Sequence, residues 1–186
     1  MASIIWVARH GHRFDFAYPE WFNTALRRYD PPLSEEGKIQ AQNLGINLKN
    51  EVIDHLIVSP FLRTIQTAHI IADIINLPLK LEPGLGEWHN PHWMTEKPLT
   101  HPPEELRLFY PRIDWNYRST ITPIYPETEA MVLERMKETA QILIRKFSGN
   151  LLLIGHSISV IGITKALVGE KKEIKPDFCS ITKIYI

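Results

Sequence analysis

The chain has 186 residues, 44% hydrophobic and 23% charged, which suits one globular domain with a buried core and is too short for two independent cores without a linker. Lys plus Arg and Asp plus Glu each number 21, so no net field draws the chain to nucleic acid or to an anionic membrane, and any attraction for an anion must be local. No apolar run approaches the roughly 20 residues that span a bilayer, and no basic segment precedes the short apolar run at the start; the expectation is a cytoplasmic protein forming a single domain over residues 1–186.

In chain order, Ile4 to Ala8 is β-rich and leads into Arg9-His10-Gly11. Ser34 is placed to cap a helix running to about Lys49, with Glu35 and Glu36 in the first turn where the helix dipole favours acids. Leu56 to Val58 reads as a second strand. Ser59-Pro60 then supplies a cap and a first helical position for a helix carrying Thr67, Ile70, Ile71 and Ile74 toward Asn76, which puts Arg63 in its opening turn. Between Pro91 and Pro126 lie seven of the fourteen prolines, with Trp93, Phe109, Tyr110, Trp115, Tyr117 and Tyr125. That composition resists long elements and indicates an ordered insertion, about 89–126, near a site. Val132, Met136, Ala140, Leu143 and Phe147 are spaced as one face of a helix over Thr128 to Phe147. Leu151 to Ile154 is a third strand, Ser157 opens a helix that stops near Gly169, and Cys179 to Ile186 is strand-like. Cys179 has no partner for an internal disulfide and reads as a small buried residue. Strands alternating with helices predict an α/β layered fold with a mostly parallel sheet.

Arg9-His10-Gly11, Arg63 and Gly155-His156 each follow a strand, and loops at the carboxyl ends of strands are where such sheets bind ligands. Histidines and arginines converging there suit a phosphoryl group: guanidinium forks hold its oxygens, and a neutral imidazole is a nucleophile. Glu87, in Gly84-Leu-Gly-Glu-Trp88, is the candidate proton donor for a leaving oxygen, with Trp88 as an apolar wall that raises its pKa.

Other chemistries find less support. His89, His92 and His101 do not make a closed zinc set, with Pro91 between two of them and no thiolates nearby. Gly84-Leu-Gly86 lacks the third glycine of a dinucleotide fingerprint, no phosphate-binding loop ends in Lys-Ser or Lys-Thr, and Gly155-His-Ser157 is not a nucleophile elbow. Neither a metal nor a cofactor is expected. Phe14, Phe16, Tyr18, Trp21 and Phe22 are either an apolar substrate wall beside Arg13 or packing.

Taken together, Arg9-His10-Gly11, the segment Pro32 to Gly45, Ser59-Pro-Phe-Leu-Arg-Thr-Ile-Gln-Thr-Ala68, Glu87 and Gly155-His156 closely resemble the histidine phosphatase superfamily. Arg13 and Glu82-Pro-Gly-Leu-Gly-Glu-Trp88 resemble most the branch of ecdysteroid-phosphate phosphatases and the phosphatase domains of suppressor of T-cell receptor signalling proteins. The resemblance implies a three-layer α/β/α sandwich with one antiparallel strand. It also implies His10 as nucleophile, Arg9, Arg13, Arg63 and His156 as the phosphate pocket, and Glu87 as proton donor to a phosphate monoester. The substrate class is a small-molecule phosphate ester or a phosphoprotein, and a homodimer is left open. Two departures bear on specificity: His12 stands where the branch often has an acid, and Ile158-Ser-Val160 replaces the usual small residues. The rival readings are a phosphoglycerate mutase-type phosphotransferase, disfavoured because the residues after Gly11 lack its Glu-Ser pattern, and a non-catalytic phosphate-binding module.

Overall fold

The computed structural model describes residues 2–169 and 174–186. Its elements in chain order are β1 (Ala2–Arg9), α1 (Phe14–Ala17), α2 (Trp21–Thr24), α3 (Glu35–Leu48), β2 (His55–Val58), α4 (Leu62–Ile75) and β3 (Leu79–Leu81), followed by a single 3-10 turn (Pro83–Leu85). Then come α5 (Pro103–Phe109), α6 (Glu129–Lys146), β4 (Gly149–Gly155), α7 (Ser157–Val168) and β5 (Ile181–Tyr185). The sheet runs β3-β2-β4-β1-β5; β5 pairs antiparallel with β1, and the other pairs are parallel.

The central strands read as unbroken apolar runs because both faces of the sheet are covered. Trp6, Ala8, Leu56, Val58, Leu152 and Ile154 face one core with α3 and α4, while Ile5, Val7, Ile57, Leu151 and Leu153 face the other with α6 and α7. Period-2 alternation thus divides each strand between two helical layers, giving the three-layer sandwich that the resemblance implied.

Helix starts follow local chemistry. The Ser34 hydroxyl caps α3 by accepting from Gly37 N at 3.1 Å, and Thr128 caps α6 by accepting from Met131 N at 3.3 Å. At α4 the expectation needs correction: the flanking residue is Phe61, without a side-chain cap, and the helix begins at Leu62 rather than Pro60. Its first amide is served from elsewhere, since Asp30 Oδ1, buried, accepts from Leu62 N at 2.6 Å. Ser59 is thereby released for another role. The strand expected from Cys179 begins only at Ile181; Cys179 lies before it with φ of 53°, half-buried, and burial pushes its thiol up to about 12.

The insertion mostly seals the β3 edge. Leu79 N donates to Arg112 O, Asp114 N donates to Leu79 O, and Leu106 and Ile113 enter the α3/α4 core. No helix of the described residues is long and apolar enough to cross a membrane.

Candidate active site

β1 and β4 are neighbours, with Arg9 in register with Gly155, so the loops leaving their carboxyl ends emerge side by side. His10 is tied there by its amide, which donates to Gly155 O at 2.9 Å. Its Nδ1 lies 2.7 Å from Gly11 O, a partner that can only accept, so Nδ1 carries the proton and Nε2 presents a lone pair. Arg63 Nε donates to that lone pair at 3.3 Å. Gly11 is required by closeness: a Cβ there would lie 2.4 Å from Gly37 O, at the start of α3.

His156 occupies the cap position of α7, its ring 5.3 Å from that of His10. Nε2 pairs with the Ser59 hydroxyl at 2.8 Å, and Nδ1 faces Glu87 Oε2 at 3.3 Å and Arg63 Nη2 at 3.2 Å. Arg63, in the first turn of α4 and only 1% exposed, joins all three: besides His10 and His156 it reaches Glu87 Oε2 at 3.2 Å, while Nη1 donates to Tyr29 O. The structure therefore brings His10, Arg63, Glu87 and His156 into one cluster. Arg9 and Arg13 line the same cavity. Arg9 lies over the Phe178 ring and donates Nη1 to Pro176 O, leaving its buried Nε without a protein partner. Arg13 stacks over Phe16 and gives one edge of its guanidinium to Asp15, from Nε at 2.9 Å and Nη2 at 2.5 Å.

Burial is the largest influence on both histidines. It drives His10 well below 6.5, helped by Arg63 and His156, and brings His156 down to about 4 despite the Glu87 carboxylate beside it. Both imidazoles are neutral near pH 7. Burial also lowers Arg63, to about 10, which leaves it charged. Glu87 corrects the expectation from Trp88. Burial does favour its neutral form, but His156, Arg63 and His10 together outweigh it and hold the carboxyl well below 4.5. Trp88 turns elsewhere, donating Nε1 to Glu127 O and stacking edge-on with Trp93.

Three contributors carried no signal that separates them from ordinary polar residues: Ser59 behind His156, Asp15 holding Arg13, and Tyr29 supplying a carbonyl to Arg63. Ser59 acts across the fold and Tyr29 through its backbone carbonyl, whereas Asp15 acts locally, two residues after the arginine that it holds.

Among the described residues, His10, Glu87 and His156 are the cluster with metal-ligand geometry, their ligand atoms within 4.8 Å of one another. Arg63 stands within 3.3 Å of all three, so a cation there would meet a fixed guanidinium charge at close range, whereas an anion would be held by it. His89 and His101 are separately engaged, with Ile124 O and with Asp30.

The cluster opens into a cavity of about 520 Å³ whose walls include Phe16, Phe22, Trp88, Trp93, Leu133 and Ile158. Phe16 and Phe22 therefore line the cavity beside Arg13, and the insertion contributes Trp93 and Met94 to it.

The family model described as histidine phosphatase superfamily (branch 1) matches residues 5–186. The chain belongs to this superfamily. Membership supports a phosphatase- or phosphotransferase-type function. The chain is 30% identical over 184 residues to the transcription factor tau 55 kDa subunit of Saccharomyces cerevisiae, covering 91% of this chain and 42% of that protein. It is 28% identical over 203 residues to the ecdysteroid-phosphate phosphatase of Drosophila melanogaster, covering 89% of this chain and 27% of that one. The chain thus spans less than half the length of these curated relatives. In fold it is similar to the ecdysone phosphate phosphatase from Bombix mori solved with tungstate, at a TM-score of 0.81 and 24% identity over 97% of this chain and 88% of that chain. The three-layer fold of this histidine phosphatase superfamily member, and its likeness to the ecdysteroid-phosphate phosphatase branch, agree with the expectation from its motifs.

Proposed function

We propose that the chain hydrolyses phosphate monoesters through a phosphohistidine on His10, without a metal, and that it prefers esters whose alcohol half is bulky and apolar. The observation that carries the reading is the state of His10: buried, neutral, its Nδ1 proton committed to Gly11 O and its Nε2 lone pair held beside Arg63. A phosphoryl group seated on Arg63, with Arg9, Arg13 and His156 around it, presents phosphorus to that lone pair. The N–P bond forms as the ester P–O bond breaks, and the guanidiniums offset the charge on the transferring oxygens.

The departing oxygen takes its proton from Glu87. Because Glu87 is ionised in the free site, that proton enters with the ester as its monoanion, whose negative charge also weakens the hold of Arg63 on the ionised carboxylate. Water then attacks the phosphohistidine, the N–P bond breaks, and the proton that water gives to Glu87 leaves with the phosphate as its monoanion, restoring neutral His10 and ionised Glu87. The apolar cavity beside the cluster supports a large apolar alcohol, in keeping with the ester named for the Drosophila relative.

The test is hydrolysis of p-nitrophenyl phosphate in excess EDTA, with H10A as control and acid-lability trapping of any labelled protein. The expected result is turnover that falls at least ~10³-fold in H10A, with an acid-labile phosphoenzyme in the native chain. Absent turnover and absent labelling, in protein that still binds inorganic phosphate, would overturn the reading in favour of a phosphate-binding module. Labelling that is discharged only to an added phosphate acceptor would indicate a mutase.

A further inference from the structure

Glu87 lies on a loop with no regular structure beyond the single 3-10 turn before it, yet proton transfer requires its carboxyl to stay within hydrogen-bond reach of the leaving oxygen. Beneath the loop is a buried ion pair that the catalytic cluster does not use. Arg135 on α6 is 7% exposed and Glu127, just before α6, is 3% exposed. They meet as a fork, Nε to Oε1 at 2.7 Å and Nη2 to Oε2 at 2.8 Å.

The remaining Arg135 protons all go to the loop. Nη1 donates to Gly84 O at 2.9 Å and Gly86 O at 3.0 Å, and Nη2 donates to Glu87 O at 3.1 Å. The carbonyls on either side of the Glu87 Cα are therefore held by one rigid guanidinium, which fixes the orientation of both flanking peptide planes. Glu127 grips the next two residues: its Oε2 accepts from His89 N at 3.0 Å, its amide donates to His89 O at 2.9 Å, and its carbonyl accepts from Trp88 Nε1 at 2.9 Å. The loop lies flush on α6, since a Cβ on Gly84 would sit 2.3 Å from Thr139 Oγ1.

We propose that Arg135 and Glu127 are positioning residues for Glu87, a role that rests on Glu87 being the proton donor. Apolar packing would serve stability as well as a buried ion pair does. What the fork adds is direction, because five donors in one plane satisfy three loop carbonyls and a carboxylate at once. A lysine has three donors on one nitrogen and cannot span those acceptors.

The test compares R135K and E127Q with the native chain on an alkyl phosphate and on p-nitrophenyl phosphate, with E87Q as reference and folding checked by circular dichroism. Should R135K fail to fold, E127Q decides, since it keeps size and shape while turning an amide donor toward Arg135 or His89 N. The expected result is a kcat loss of at least ~10-fold on the alkyl ester, whose leaving oxygen needs the proton, and under ~3-fold on the aryl ester, with KM little changed on both. Equal losses on the two esters, or no loss, in folded variants while E87Q still discriminates would overturn the proposal. Equal losses in E87Q itself would instead remove Glu87 from the proton-donor role and leave the pair with nothing to position.

Discussion

At His156 the fold keeps an imidazole neutral where water would allow it to charge below about pH 6.5. His10 is driven in the same direction. An unfolded chain binds protons at these histidines as pH falls through their ordinary value, while the folded chain refuses one at His156 until about pH 4. The sign follows: stability is full above about pH 6.5 and declines as pH falls from there toward about 4, by on the order of 3 kcal/mol for His156. Melting temperature against pH is the measurement, and H156N should show a shallower decline across that window. An identical slope in the variant would mean that other groups carry the acid sensitivity. Added inorganic phosphate should flatten the native slope, because a bound anion makes protonated histidine less costly.

At the scale of elements, α3 and the loop after β1 approach more closely than side chains permit. A Cβ on Gly37 would lie 2.2 Å from His12 O, just as one on Gly11 would strike Gly37 O. G37A should cost about 1–3 kcal/mol in urea unfolding and weaken inorganic phosphate binding, because the backbone that must yield carries His10 and Arg13. Unchanged phosphate affinity in the folded variant would show that the loop moves without disturbing the site. The elements themselves were largely legible. Ser34 caps α3 where it was expected, because cap chemistry is local, and α6 opens at Glu129, one residue after its expected start, with Thr128 as its cap. Ser59 misled for a reason that is not local: its hydroxyl serves His156, and the amide it was expected to help satisfy is met by Asp30, 32 residues earlier. Glu87 misled similarly, since the groups that hold its carboxyl down, His156, Arg63 and His10, come from β4, α4 and β1 segments, and neighbouring Trp88 is not among them.

For the molecule as a whole, the sheet brings the expected site residues together, and the cavity walls come from segments far apart in the chain, of which only Phe16 and Phe22 were offered beforehand as an apolar wall beside Arg13. Phe16 and Phe22 precede α3, Trp93 and Met94 belong to the insertion, and Leu133 and Ile158 come from α6 and α7. Their convergence depends on long-range packing that no local pattern encodes. W93A should reduce kcat/KM for a bulky apolar phosphate ester about 10-fold while changing inorganic phosphate affinity less than about 2-fold. A parallel loss in phosphate affinity would mean that Trp93 supports the arginines rather than the alcohol. His10 and His156 leave adjacent strands paired in parallel at Arg9 and Gly155, so the spacing between the two imidazoles is inherited from a backbone hydrogen-bond ladder. Ladder spacing does not depend on which side chains mutate. Substitutions at walls such as Trp93 can thus reshape the cavity while the interval between the two imidazoles stays set by the strand ladder, whereas Phe16, which carries Arg13, belongs to wall and anion site at once.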